Sequence, residues 1–179
     1  MIAYTARCLY RSSGDSEDRL VERAGLLNRL DKGWCSFQQA HAGLSEAQLM
    51  IPGVTGTWSV RDILAHVTTW EEEALKHLPL ILKGGRSPRY SSTYGGIDAF
   101  NALKTEEKRN LSLAQVFQEM HEVHRRLIAY IESVPLSEFQ KKSRFRHRLR
   151  LDTYGHYRIH SKAIWKWREK AGVRSNETL

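Results

Sequence analysis

The chain has 179 residues, 41% hydrophobic and 27% charged, with a formal net charge of +8. That length fits one domain with a real core, and the composition excludes a disordered chain and a membrane-embedded one. No apolar run approaches the roughly 20 residues a spanning helix needs, and the opening MIAYTARCLYRSSGDSEDR holds no stretch of signal-peptide length.

The first predicted helix runs from about Asp18 to about His41. Leu20, Ala24, Leu27, Leu30, Trp34, Phe37 and His41 recur at steps of three and four and make one apolar face. Residues 1–15 read as an amino-terminal extension, 16–171 as the bundle and 172–179 as a tail. LSEAQLMIPG, 44–53, reads as a turn closed by Pro52 and Gly53. The second helix has a capping box, Ser59 with Asp62, and a hydrophobic staple, Trp58 with Ile63. Its inward face is Ile63, His66, Val67, Trp70 and Ala74, and Pro79 with Gly84-Gly85 closes it. GGRSPRYSSTYGG, 84–96, reads as a loop, and IDAFNALK after it as a short helix.

The third helix opens on Ser112 with Gln115 as its capping box and Leu111 with Val116 as its staple. Leu113, Val116, Phe117, Met120, Val123, Leu127 and Ile131 form its core face, and Pro135 ends it. Next comes KKSRFRHRLR, 141–150, with six Lys or Arg and no acid. Without those six, the remaining 22 basic residues nearly balance 20 acidic ones, so the charge excess is a local patch. Such a patch reads first as a solvated loop and second as a weak nucleic-acid contact. The fourth helix begins near Asp152 or Thr153 and runs to about Lys170, with His156, Ile159, His160, Ala163, Ile164 and Trp167 inward. Four long amphipathic helices and no hairpin pair imply an all-α four-helix bundle. Cys8 and Cys35 make neither a metal spacing nor a disulfide framework, which agrees with a reducing, cytoplasmic location.

His156 and His160 lie four apart and share one face of their helix. They could present two imidazole nitrogens to one ion, and His66 is the natural third donor. Three His ligands with an open position suit a catalytic divalent metal. A place in the first turn of the last helix would depress the pKa of His156 and favour the neutral ligand form. The alternative is three core histidines, each with its own hydrogen bond. His41, His77 and His121 read as helix-surface or helix-end residues, and His124 borders the core. Trp70 could wall a substrate pocket. Glu73 and Glu72 are candidate proton acceptors or partners of the ligands, although Glu71-Glu72-Glu73 reads first as a solvated charge run. Tyr157, beside His156, is a candidate functional group that could equally point elsewhere.

TWSVRDILAHVTTWEEEAL, 57–75, resembles the second helix of the DinB-like (YfiT-like) metalloenzyme superfamily, and LDTYGHYRIHSKAIWKW, 151–167, resembles its last. PGVTGTWSVRDILAHVTTWE, and IDAFN followed by SLAQVFQEMHEVHRRLIAYIESVP, are most similar to the ClbS/DfsB branch. The resemblance spans residues 16 to 171 and implies a down-up-down-up bundle. It also implies a three-His metal triad, which would fall on His66, His156 and His160, with zinc or nickel as the expected ion. Some members of that superfamily are thiol-dependent transferases or isomerases, and the ClbS branch includes a hydrolase of an electrophilic cyclopropane.

The leading functional expectation is therefore a metal-dependent hydrolase or thiol transferase that disarms a small reactive electrophile, in detoxification or self-protection. The alternative is a non-enzymatic small-molecule-binding or stress protein using the same pocket. Nucleic-acid association through 141–150 ranks third. A homodimer is an open expectation, and no membrane partner is expected.

Overall fold

Apolar side chains at helical spacing, punctuated by side-chain caps, account for the architecture. The computed structural model describes residues 14–139 and 143–172. Residues 173–179 of the expected tail, residues 1–13 of the expected extension, and residues 140–142 lie outside the described residues. In chain order the helices are α1 (Gly14–His41), α2 (Glu46–Leu49), α3 (Val60–Leu82), α4 (Tyr90–Tyr94), α5 (Ile97–Glu107), α6 (Leu113–Ser133), α7 (Arg144–Asp152) and α8 (Tyr154–Ala171), with a 3₁₀ turn at Leu136–Phe139. No β-strand occurs among the described residues, so the all-α expectation holds. No helix there is long and apolar enough to cross a membrane.

The four long helices are α1, α3, α6 and α8. Helix α1 packs along α8, and α3 lies between α6 and α7 while also touching α8. Their shared core contains Leu30, Phe37, Ile63, Leu64, Met120, Leu127, Tyr157 and Ile164, all fully buried. Burying each large apolar side chain contributes about 1.5–3 kcal/mol, before the entropy of ordering the chain is subtracted. The capping boxes at Ser59 and Ser112 form as expected. Two buried arginines tie elements together. Arg61 donates to the carbonyls of Lys108, Arg109 and Leu111, fixing the α5–α6 connection to the start of α3. Arg168 donates to the carbonyls of Ala40 and Ala42, satisfying the end of α1 from α8.

Several expectations change. The segment 44–53 is not all turn, because Ser45 and Gln48 form a third capping box and start α2. The 84–96 stretch contains α4. Helix α3 continues through Pro79 to Leu82, since a proline in the last turn removes only one hydrogen bond there. The inward face of α1 is rotated: Leu26 and Ala40 are buried, while Leu20 and Ala24 are exposed. Ile159 faces outward and is 63% exposed. His41 and His77 are buried rather than on the surface.

The largest change is the basic segment. From Arg144 it is a helix, capped by Ser143, whose Oγ accepts from the Arg146 amide at 3.1 Å. Phe145 and Leu149, four apart, are buried against the core, and the arginines between them leave from the other faces. Helix α8 follows at once, and its second residue, Gly155, sits against the end of α7. A Cβ built on Gly155 would meet the carbonyl oxygen of Arg150 at 2.6 Å, a backbone atom that cannot swing away. Gly155→Ala is therefore expected to lower the free energy of unfolding by about 1–3 kcal/mol. Urea melts would check it, and an unchanged midpoint would mean that α7 and α8 separate easily.

Candidate functional site

Helix α3 supplies one histidine and α8 two. His66 lies on the buried stripe of α3, one turn after Asp62 closes the cap, and His156 and His160 stack on one face of α8. The ligand-capable atoms of the three all lie within 4.8 Å of one another. The ring centroids of His66 stand 4.8 Å from His156 and 4.9 Å from His160, and those of His156 and His160 are 4.6 Å apart. The Nε2 atoms of His66 and His156 approach to 3.0 Å. Two nitrogen lone pairs at that distance repel unless a proton or a cation lies between them.

Burial sets the protonation of all three. Desolvation, with the charge of His160, holds His66 down to about 3. Desolvation, with the charges of His160 and His66, holds His156 down to about 2. Desolvation alone holds His160 down to about 4. The cause at His156 is thus mainly burial rather than the helix end expected from sequence. At neutral pH all three rings are uncharged. The Nδ1 of His160 is buried without a hydrogen-bond partner among the described residues. Neutral, converging, incompletely satisfied imidazoles fit a divalent cation of the kind that takes nitrogen ligands.

Aromatic rings enclose this cluster. Trp70 stands 6.3 Å from His66 and 5.6 Å from His156, and its indole N–H donates to Asn101 Oδ1 at 3.2 Å. Trp58 lies 4.7 Å from His66. A tight turn puts it there: the amides of Gly53 and Val54 both donate to the Trp58 carbonyl, and Gly56 takes the left-handed φ of +57° that the reversal needs.

The other named candidates fall in two neighbouring networks. Tyr157 turns away from the imidazoles into the bundle, fully buried, and its hydroxyl donates to Glu71 Oε1. The same oxygen lies 2.8 Å from His124 Nδ1, and His124 stacks on Trp34 with centroids 3.6 Å apart. Burial first, then Glu71, raises the Tyr157 pKa far above the ordinary tyrosine range, so the phenol stays a donor. Glu73 accepts hydrogen bonds from Lys76 at 2.8 Å and Tyr90 at 2.7 Å, and lies 3.0 Å from His77 Nε2. Burial pushes its carboxyl up, but the bonds from Lys76 and Tyr90, the Lys76 charge and His77 outweigh that and leave it lowered. Tyr90 in turn accepts from Arg148, whose guanidinium lies over Trp70 and pairs with buried Asp152.

The run Glu71-Glu72-Glu73 is therefore not a solvated face, because Glu71 is 0% and Glu73 4% exposed. Sequence reasoning missed Glu71, Trp58 and Arg148 as neighbours of the site. A signal existed for Glu71: with Val67, Ala74 and Leu78 it shares helical spacing, and those three are fully buried.

The sequence profile of the DinB superfamily matches residues 29–160. The chain belongs to the DinB superfamily. The resemblance carried by residues 57–75 and 151–167 holds. Two solved structures share the DinB fold seen here. DfsB, described as a sibling lethal factor precursor, matches with a TM-score of 0.70 at 12% identity over 83% of this chain and 96% of its own. An uncharacterised protein from Escherichia coli UTI89 matches with a TM-score of 0.69 at 16% identity over 85% of this chain and 95% of its own. At such identities the likeness is one of fold. No curated protein sequence matches the chain.

Within this DinB bundle, Tyr157→Phe tests whether the Glu71 network holds α8 in rotation. Removing the hydroxyl leaves a buried carboxylate short of a donor, and the expected loss is about 1–3 kcal/mol in urea unfolding. A loss under about 0.5 kcal/mol would show that Tyr157 and Glu71 do not bond in solution.

Proposed function

We propose that the chain is a metal-dependent enzyme in which His66, His156 and His160 hold one divalent ion, zinc or nickel, and that it acts on a small reactive electrophile by hydrolysis or thiol transfer. The observation that carries this reading is the convergence of three neutral imidazoles from two helices, His66 and His160 buried and His156 half-buried, with their ligand atoms within 4.8 Å of one another. When bound, a divalent ion supplies the acidity that brings a water or a thiol to its anionic form near neutral pH. The protein's own part is positional. Helix α3 and helix α8 set the three nitrogens, and Trp58 and Trp70 line the imidazoles with apolar surface that limits water and offers a face to substrate.

Tyr157 and Glu71 act one layer behind. Their hydrogen bond fixes the rotation of α8 next to His156, so the phenol serves here as a positioning group and not as a reacting one. Glu73, occupied by Lys76, His77 and Tyr90, orders the wall beneath Trp70 instead of standing free as a base. Trp70 is the candidate that touches both the imidazoles and any ligand above them.

The test begins with protein expressed without a histidine tag. Mass spectrometry of the purified protein should find about one divalent ion per chain, and His66→Ala with His156→Ala should reduce that at least about tenfold. Turnover of electrophilic substrates, with and without a thiol, should fall with the metal. A chain that retains its fold, holds no metal under metal replenishment and still turns over substrate would defeat the proposal.

A further inference from the structure

The basic helix α7 does more than pack. With the end of α3 and the middle of α1 it borders a cleft of about 1070 Å³. Six arginines line that cleft: Arg29, Arg86, Arg144, Arg146, Arg148 and Arg150. No carboxylate lines it among the described residues. Two of the six are already committed. Arg146 pairs with Glu22 at 3.0 Å, and Arg148 pairs with Asp152. Arg29, Arg86, Arg144 and Arg150 have no carboxylate partner among the described residues, and Arg29 and Arg144 donate only to backbone carbonyls.

Four uncompensated guanidinium groups around one concavity repel one another, and a multiply charged anion relieves that repulsion. The planar fork of arginine matches the oxygens of phosphate two at a time. The floor is rigid, because Phe145 and Leu149 anchor α7 in the core while Arg144 is bonded to the carbonyls of Gly84 and Gly85. The volume is near the upper end of what small-molecule sites occupy. A ligand carrying several negative charges within a few ångströms meets these conditions, and a linked di- or triphosphate supplies them.

We propose that this cleft is a binding site for a small molecule bearing a di- or triphosphate group. The site stands on its own geometry and does not depend on a metal at the histidines.

The experiment is calorimetric titration of the full chain with sodium tripolyphosphate, with citrate and short duplex DNA as parallel arms. Tripolyphosphate is expected to bind saturably at one per chain. Arg86→Gln with Arg150→Gln, both exposed positions, should weaken it at least about tenfold. Arg126→Gln with Lys166→Gln, which removes the same charge from α6 and α8, should change it less than about twofold. Thermal melts verify folding, and the single variants R86Q and R150Q replace the pair if it melts early. The proposal fails if tripolyphosphate shows no saturable binding, if both charge-matched pairs weaken it equally, or if citrate or duplex DNA binds where tripolyphosphate does not.

Discussion

The rotation of α8 about its own axis is the constraint on which the rest depends. Successive residues on a helix point about 100° apart, so His156 and Tyr157 must face different neighbours. One rotation sends His156 and His160 to His66 and sends Tyr157 to Glu71. A change of a few tens of degrees would break both at once. The buried polar groups on either side thus oppose drift in both directions, which apolar packing alone does weakly.

Such an arrangement costs solvation. Three imidazoles, Glu71 and Tyr157 lose water, and hydrogen bonds return only part of it: Glu71 Oε2 and His160 Nδ1 have no partner among the described residues. A core chosen for stability alone would place leucines there. The long helices around it carry the opposing contribution, through the fully buried apolar side chains of α1, α3 and α6. A bundle with that much apolar burial can tolerate a polar seam, and the seam is where chemistry becomes available.

Much of this was legible in the sequence for a physical reason. His66 falls in step with Ile63, Val67 and Trp70, and His156 with His160, so helical spacing alone gave each its face. The capping boxes at Ser59 and Ser112 depend on four residues and no tertiary contact, and both formed. What periodicity could not supply was the pairing of faces between helices, which rests on packing across the bundle. Composition misled where polar residues are buried. By charge or position Glu71, His41 and His77 belong at the surface, yet each is held inside by a partner or by ring contacts: His124 and Tyr157 for Glu71, Phe37 and Phe117 for His41, Glu73 for His77. Ile159 erred the other way, because an apolar letter near the core stripe does not fix which edge of the stripe is covered.

Helix α7 shows why a count of charges misreads such a segment. Counted as charge, KKSRFRHRLR is a solvated run. Read at helical spacing, Phe145 and Leu149 form an apolar pair at i and i+4, and Arg148 with Asp152 forms an ion pair at the same spacing. Arg148 lays its guanidinium against Trp70 and Tyr90, where its charge meets two ring faces and its stem excludes water. The basic helix is therefore part of the wall of the histidine site through Arg148 and part of the cleft surface through Arg144 and Arg150. Two apolar residues, Phe145 and Leu149, anchor it in the core, and docking is what turns a dispersed positive charge into a fixed one.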